Sequence, residues 1–306
     1  MSKNNKILIT LFLVLLVALF IINRVTDPRA KRTTYFDVDQ EHLYAFEFVT
    51  KTDTLRLVRD NSLWEISEPF RFPADNTRVG RFIEQIHTVE TSRTPVSVSE
   101  ESHKDYFVTD ERGTVVRFYD VYDNLLDEAY VGTRGRMVYA RRSDSDDVYQ
   151  LSGNIGHLIS ANVNAWRDIN TVSYPEEIID RIDVEYRRND YTLYKDNNQW
   201  FYEDEENNFS ISPNNRALRN ALHQLEEMPS MRFIDYEFEE YEHLLEDPEL
   251  LLDITKIDGS TTNLVFGFDR EQGDFVVMKD GNEDHLYLVE AETADNYTIS
   301  YQHFQQ

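Results

Sequence analysis

The sequence contains no cysteine in its 306 residues. This absence excludes disulfide bonds, thiolate metal ligands and cysteine nucleophiles together. It does not fix the cellular compartment, because many secreted proteins also lack disulfides.

Motifs of the common enzyme classes are missing as well. No G-x-x-x-x-G-K-[ST] loop occurs, and the pair Gly153 and Gly156 falls far short of a phosphate cradle. No G-x-S-x-G nucleophile turn is present. With 57 acidic residues in the chain, the proximity of two carboxylates carries almost no catalytic information. We therefore predict no enzymatic activity, no catalytic or metal-ligating residues and no cofactor.

Positive charge is scarce outside the first residues. The chain has 31 basic and 57 acidic residues, and the first 32 positions hold 6 of the basic and 1 of the acidic ones. The remainder therefore carries 25 basic against 56 acidic residues. Phosphate recognition needs clustered cations, so nucleic acid is excluded as a partner. The acidity favours solubility, with adaptation to high salt as the alternative.

One long apolar run is present, at residues 7–22, and only Thr10 interrupts it. At about 1.5 Å per residue it spans roughly 24 Å, somewhat less than the roughly 30 Å of a hydrocarbon core. Lys6 and Arg24 flank the run and can extend it by snorkelling. We predict an uncleaved anchor that crosses the inner membrane once, with a cleaved signal peptide and a buried soluble helix as alternatives. Positive charge at the two ends is nearly balanced and tilts weakly toward a cytoplasmic body, but the short N-terminal tail favours an extracytoplasmic body.

The body contains an internal repeat. Residues 55–64 read L-R-L-V-R-D-N-S-L-W, and residues 191–200 read Y-T-L-Y-K-D-N-N-Q-W. Each copy continues with a proline, a helical pattern and an apolar-glycine pair, which is Val131-Gly132 in the first copy and Phe266-Gly267 in the second. A residue type that both copies share is expected to serve the shared fold.

Each copy changes once from strand to helix periodicity. Asp75 or Asn76 can cap the first helix, and Asn214 or Asn215 can cap the second, which Pro229 ends. Stripes at this spacing are more typical of a core face than of a docking face. The predicted stripes are Val79, Phe82, Ile83, Ile86 and Val89 in the first copy, and Leu218, Ala221, Leu222, Leu225 and Met228 in the second.

The remaining apolar segments are short and closely spaced, which predicts antiparallel strands in the order β-β-β-α-β-β-β-β in each copy. The fold class is therefore α+β, with an N-terminal transmembrane helix before two tandem similar domains, each a mainly antiparallel sheet with one packed helix. The predicted divisions are an anchor and stalk at 1–34, a first repeat at 35–151, a connector with one short helix at 152–173, and a second repeat at 174–306. After the first helix, strands are predicted at 115–119, 130–131, 137–139 and 148–149.

Two acidic segments have a functional alternative. Residues 143–147 (S-D-S-D-D) have calcium-loop character but lack the glycine and the distal glutamate. Residues 280–284 hold the same place in the second copy, so both are predicted to be hairpin turns. Residues 237–246 are acidic and aromatic, and a solvated helix or loop face is favoured over a cation site.

The histidines and one tryptophan motif are also interpreted as structural. His87 and His223 lie near the C-terminal ends of the predicted helices, where a protonated imidazole suits the helix dipole. None of the eight histidines shows the H-E-x-x-H spacing of a zinc site. Trp166 is expected to anchor the junction of the copies, with Arg167 and Asp168 bracing the two domains.

The order of motifs resembles a bacterial membrane-anchored family of unknown function, encoded beside ABC transporter genes of the gliding-motility type. The resemblance covers nearly the whole chain, and it implies an accessory, extracytoplasmic role near such a transporter without supplying catalytic residues. It rests on the anchor, Tyr35-Phe36-Asp37, the Trp64 strand, Pro73-Ala74-Asp75, Val131-Gly132, residues 148–151 and residues 166–168.

Together these observations predict a membrane-tethered, extracytoplasmic, non-enzymatic accessory or assembly module associated with an ABC-type transport system. Its expected partners are the membrane, through the anchor, and the protein components of the transporter. The alternative is an envelope protein that binds or senses a polymer or small solute in a cleft between the repeats.

Overall fold

The computed structural model describes residues 32–153, 155–187 and 189–305. The predicted anchor at residues 7–22 and nearly all of the predicted stalk lie outside these residues. Within them, no helix is both long and apolar enough to cross a membrane. The chain divides into two compact units, of which the first ends at Arg167 and the second begins at Asp168.

The first unit is built on one sheet. Its strands are β1 Arg32–Thr34, β2 Ala45–Val49, β3 Thr54–Asp60, β4 Leu63–Glu68, β5 Phe72–Pro73, β6 Glu90–Ser92, β7 Thr114–Tyr119, β8 Leu125–Arg134, β9 Met137–Arg142 and β10 Val148–Leu151. Its α-helices are α1 Asn76–Thr88 and α2 His103–Tyr106. Neighbouring strands are antiparallel throughout, in the order β1-β6-β10-β9-β8-β7-β2-β3-β4-β5.

The second unit also contains one large antiparallel sheet, together with a two-stranded one. Its strands are β11 Asn170–Val172, β12 Ile179–Glu185, β13 Tyr191–Asp196, β14 Gln199–Glu203, β15 Asn208–Ser210, β16 Met228–Pro229, β17 Arg232–Asp235, β18 Leu250–Lys256, β19 Thr261–Asp269, β20 Asp274–Lys279 and β21 His285–Val289. Its α-helices are α3 Arg216–Glu226, α4 Phe238–Leu245 and α5 Glu292–Asp295. The large sheet has the order β15-β14-β13-β12-β18-β19-β20-β21-β17, and β11 pairs with β16.

The two large sheets have the same strand order. Read from β5, the first runs β5-β4-β3-β2-β7-β8-β9-β10-β6, with β1 beyond it. Each of these strands has a counterpart at the same place in the second sheet when that sheet is read from β15. The longest helix follows β5 in one unit and β15 in the other. Two large antiparallel sheets with few helices confirm the coarse α+β prediction.

The long helices begin where the sequence predicts. Asp75 caps α1 by accepting a hydrogen bond from the Arg78 amide (3.0 Å), and Asn215 caps α3 by accepting one from the Leu218 amide (2.9 Å). The predicted stripes are buried as core faces. Val89 and Met228 are buried as well, but they lie just beyond the helices, Val89 at the C-cap of α1 and Met228 in β16.

Helix α1 packs on one face of the first sheet through Phe82. The Phe82 ring lies 4.8 Å from that of Phe46 and 5.2 Å from that of Phe48, measured between centroids. Because side chains alternate along a strand, Glu47 lies on the opposite face of β2. This opposite face carries a row of charged residues that includes Arg56 and Arg117.

The prediction of one packed helix in each unit is wrong, because a second, shorter helix precedes β18 and β7. Helix α4 falls in the acidic segment at residues 237–246, and it buries Tyr241 and Leu245 against Val265 and Val276. Tyr241 and Leu245 are four positions apart, which is helical spacing, but the surrounding glutamates made this apolar pattern hard to recognise in the sequence. Helix α2 holds the corresponding place in the first unit.

Other boundaries also differ from the prediction. Strand β8 begins at Leu125 rather than Tyr130. The segment after β10 forms two 3₁₀ turns, Ile155–Leu158 and Val163–Ala165, instead of one short helix. The second turn starts separately because Asn162 is extended and its side chain accepts a hydrogen bond from the Asn164 amide (3.0 Å).

Candidate functional site

Exposed apolar side chains are concentrated at one hairpin of the first unit, where β7 turns into β8. Val121 is 59% exposed, Tyr122 82%, Leu125 53% and Leu126 37%. We call these four residues the apolar tip. Single exposed apolar side chains are common on protein surfaces, but a cluster on one projecting turn is a candidate site of interaction.

The turn that carries the apolar tip is held by Asp120. The backbone amides of Tyr122 and Asn124 each donate to Asp120 Oδ1 at 2.8 Å, and Asn124 Nδ2 donates to Oδ2 at 2.9 Å. The Asp120 amide donates to the Asn124 carbonyl at 3.0 Å. The backbone that presents Val121 and Tyr122 is therefore organised without a partner, which lowers the entropic cost of binding.

A second contact fixes the same turn to the sheet. Asp123 lies at positive φ (65°) and forms an ion pair with Arg56 of β3. The Arg56 guanidinium also lies over the Tyr119 ring, 4.6 Å from its centroid. Arg56 thus connects the end of β7, the turn and β3, and the apolar tip is presented on a rigid base.

A β-bulge sets the direction of the side chains of Leu125 and Leu126, the last two residues of the apolar tip. Phe118 pairs with Asp127 and Tyr119 pairs with Leu125, so Leu126 is the extra residue of β8. A bulge interrupts the alternation of side chains and re-aims them. Leu125 and Leu126 are consecutive in β8, and both are exposed.

The corresponding hairpin of the second unit provides an internal comparison. Strands β18 and β19 pair without a register shift, from Leu250 opposite Phe266 to Thr255 opposite Thr261. Their turn, at residues 257–260, carries one exposed apolar side chain, Ile257 (66%). The second unit forms the same strand pair without the cluster, so the fold does not require the apolar tip.

A row of alternating charges crosses the open sheet face beside the hairpin. Its successive cross-strand pairs join β4, β3, β2, β7 and β8, and unlike charges at such positions attract one another. Tyr119 donates its hydroxyl to Glu47 Oε2 at 2.9 Å, and burial together with this carboxylate raises the pKa of Tyr119 to about 12. The row consists of Glu68, Arg56, Glu47, Arg117 and Glu128.

Negative charge surrounds the apolar tip. The loop before β2 is joined to the hairpin because the Tyr44 amide donates to the Tyr119 carbonyl (2.9 Å). In this loop, Asp39 accepts hydrogen bonds from the Glu41 amide and from His42 Nδ1, each at 3.0 Å. These two bonds hold the pKa of Asp39 below its usual range. The hydrogen bonds from the Asn124 side chain and amide do the same for the pKa of Asp120.

Replacing Asp120 with alanine is expected to release the turn without unfolding the sheet. The amides of Tyr122 and Asn124 would lose their acceptor, so their hydrogen-exchange protection at neutral pH should fall. The lowered pKa of Asp120 also makes the stability of the turn depend on pH. The carboxylate stabilises the turn fully above the ordinary aspartate pKa of about 3.9, and this contribution is lost as the pH falls through the lower folded-state pKa.

The matched control is Asp258→Ala in the second unit. Asp258 Oδ1 accepts hydrogen bonds from the Ser260 amide (2.9 Å) and hydroxyl (2.6 Å). This variant should loosen residues 258–260 and leave residues 121–124 protected. If hydrogen exchange at residues 121–124 were the same in Asp120→Ala as in wild type, the hydrogen bonds to Asp120 would not be what holds the turn.

A match to a known protein family shows which family this chain belongs to. The family described as "Domain of unknown function (DUF4340)" matches residues 64–244, more than half of the chain. The chain belongs to the DUF4340 family. The match begins in β4 and ends in α4, so it includes the apolar tip and crosses the boundary between the two units. No curated protein and no solved structure matches the chain.

The two acidic loops of this DUF4340 chain are hairpin turns, as predicted. Residues 143–147 connect β9 with β10, and residues 280–284 connect β20 with β21; both strand pairs are antiparallel. Among the residues that the structure describes, no group of three or more histidine, aspartate or glutamate side chains is arranged to hold a metal ion.

The histidines with defined contacts have structural partners. His223 lies on α3 and contacts Glu226 (3.0 Å). His103 and His285 are buried, and they contact the Asp146 carbonyl (3.1 Å) and the Asp235 carboxylate (2.9 Å) respectively. His87 is half-buried on α1. The structure does not bring these four residues together at one site.

Trp166 lies in the core of the first unit. It is fully buried, its ring is stacked on that of Phe48 (5.2 Å), and its Nε1 donates to the Ser160 carbonyl (2.9 Å). Arg167 is also buried, and its guanidinium lies over the rings of Phe70 and Phe72. The bracing of the two domains by Arg167 and Asp168 stays a prediction.

An open cleft of about 640 Å³ lies at the opposite end of the same strands of the first unit. The hydroxyl groups of Thr50, Thr52 and Ser160 make local hydrogen bonds. Thr50 Oγ1, for example, accepts a hydrogen bond from the Asp53 amide at 3.0 Å. Such a lining can hydrogen-bond a solute, but it does not pair a nucleophile with a base. The lining includes Thr50, Thr52, Thr54, Thr114, Ser160 and Asn162.

The apolar tip was not predicted from the sequence. The residues around it read D-V-Y-D-N-L-L-D-E, in which a polar turn is interrupted by Val121 and Tyr122. The corresponding residues of the second copy, I-D-G-S, form an ordinary turn. Comparison of the two copies could have revealed the apolar tip, because the extra apolar residues of this turn occur in the first copy alone.

Proposed function

We propose that this protein is a membrane-tethered, extracytoplasmic docking and assembly module that acts without a catalytic reaction, beside an ABC-type transport system. The observation that carries the proposal is the apolar tip, which is held rigid before binding and which the second unit lacks. A surface of this kind favours contact with another macromolecule.

The tether is inferred from the apolar run at residues 7–22. Only residues 23–31 separate this run from β1, and nine residues span at most about 30 Å when fully extended. A membrane anchor at this point would keep the first unit close to the lipid surface. It would thereby raise the effective concentration of the apolar tip toward membrane-bound partners.

We infer that the two units are tandem copies of one ancestral domain. Their shared strand order and their shared apolar-glycine pairs support this view. On this inference, duplication supplied a second copy that keeps the fold, while the first acquired the docking hairpin. The transport system as partner is carried over from the family resemblance of the sequence.

Protease accessibility tests the proposed placement. In intact cells whose outer barrier has been removed, added protease should digest the body while a cytoplasmic marker protein stays protected. A body that becomes sensitive only after the inner membrane is broken would contradict the extracytoplasmic placement. Affinity purification of the full chain from membranes tests the docking role.

A further inference from the structure

The apolar tip lies among carboxylates. Asp120 and Asp123 are in the turn itself, and Asp39 and Glu41 are in the loop joined to it at Tyr44. Arg56 offsets one of these charges through its ion pair with Asp123. Tyr44, at 38% exposed, adds a second aromatic side chain to the same end of the sheet. The surface is therefore an apolar projection within an acidic surround.

We propose that the apolar tip inserts into an apolar pocket of a partner protein whose rim carries lysine and arginine side chains. This inference rests on the proposed docking function and names the chemistry of its partner. Tyr122 is the central anchor, since it is the most exposed of the four residues, and tyrosine supplies a large contact area with few rotatable bonds. The carboxylates face the basic rim and set orientation and association rate.

Charge also argues against lipid as the occupant. Insertion of the apolar tip into a bilayer would bring Asp120, Asp39 and Glu41 against anionic headgroups, which repel them. The body as a whole, with 56 acidic against 25 basic residues, would be repelled in the same way. A second copy of this chain is disfavoured for the same reason, because its surface shares this negative charge.

Site-specific photocrosslinking of the full chain in native membranes tests the inference. A p-benzoylphenylalanine replaces Tyr122, and the matched control carries it in place of Ile257 at the second hairpin. The adduct peptide is sequenced by mass spectrometry. We expect the position-122 adduct to map to a protein segment that combines apolar residues with lysine or arginine, at a yield at least tenfold above the position-257 control.

Two further measurements test the charge requirement. The position-122 yield should fall severalfold when salt is raised from about 50 mM to about 500 mM, because screening weakens exposed charge pairs. The substitution Glu41→Lys should also lower the crosslinking yield at position 122. The Glu41 side chain has no hydrogen bond or ion pair with another described residue, so this change should leave the fold intact. A yield that is insensitive to both changes would overturn the basic rim.

The other possible crosslinking results, combined with co-purification, show whether this inference fails alone or together with the proposed function. A lipid adduct, an adduct to an acidic segment, an adduct to a second copy of this chain, or a yield no higher than at position 257 overturns the inference. If the full chain still co-purifies with transporter subunits in any of these cases, the docking function stands and uses another surface. If the chain co-purifies with no membrane protein at all, the docking function itself fails.

Discussion

Replacing Trp166 with alanine is expected to lower the free energy of unfolding of the first unit by about 3–5 kcal/mol, the usual range for removing a fully buried large aromatic residue. The Trp166 ring has no solvent exposure, and it lies within 6 Å of the rings of Phe46, Phe48 and Phe82. Its loss leaves a cavity between α1 and the sheet and removes the donor to the Ser160 carbonyl.

Urea unfolding of the full chain, followed by hydrogen exchange of peptides from each unit, measures the effect. Trp166→Phe should cost less because it keeps most of the volume, and Leu63→Ala should change the free energy by less than about 0.5 kcal/mol because Leu63 is 60% exposed. Peptides from the second unit provide the internal reference. A loss below about 1 kcal/mol for Trp166→Ala would contradict the packing described.

Alanine in place of Gly132 or Gly267 is expected to destabilise the corresponding unit by about 1–3 kcal/mol, as overpacking of a well-packed core does. A Cβ on Gly132 would lie 2.5 Å from the Phe107 carbonyl oxygen, and one on Gly267 would lie 2.6 Å from the Leu244 carbonyl oxygen. In each case the obstacle is the backbone at the end of the short helix, which cannot rotate away as a side chain can.

The matched control is Gly80→Ala in α1. Apart from the two neighbouring residues and the backbone of its own helix, no atom of the described residues would lie within 4 Å of a Cβ at this helical position. Alanine there should stabilise the first unit by about 0.5–1 kcal/mol, because it restricts the unfolded chain and suits a helix. Urea midpoints of the three variants give the comparison. Equal stability of Gly132→Ala and wild type would mean that the short helix does not rest on this glycine.

These glycines explain a feature of the repeat that the sequence alone left open. The apolar-glycine pair recurs in both copies, and from sequence it was expected only to serve the shared fold. The structure supplies the reason, which is that α2 and α4 each approach the sheet at the glycine. The contact joins residues far apart in sequence, so no local pattern could have predicted it.

Local signals predicted the elements that depend on local physics. Helices α1 and α3 were located correctly because helical spacing and capping act over a few residues. The start of β8 was missed because the bulge at Leu126 breaks the alternation by which a strand is recognised. The short edge strand β17 was missed because four residues give too weak a pattern, and strand order is not encoded in any local spacing.

The candidate site was beyond prediction for a related reason. Apolar residues in a strand-forming segment are expected to be buried, and only the structure shows that Val121 and Tyr122 project from the turn while Arg56 and Asp120 hold it. The histidines and the acidic loops were candidates in the sequence because their residue types are chemically active. The residues that stand out in the structure are apolar.

Affinity purification of the tagged full chain from solubilised membranes tests the central claim most directly. Wild type, Tyr122→Ala and Ile257→Ala are compared in parallel, and the permease and ATPase subunits that are recovered are quantified by mass spectrometry. Recovery of ABC-type subunits should be equal for wild type and Ile257→Ala and at least tenfold lower for Tyr122→Ala, which corresponds to about 1.4 kcal/mol of binding free energy or more. Equal recovery with Tyr122→Ala, or no transporter subunit with wild type, would contradict the account.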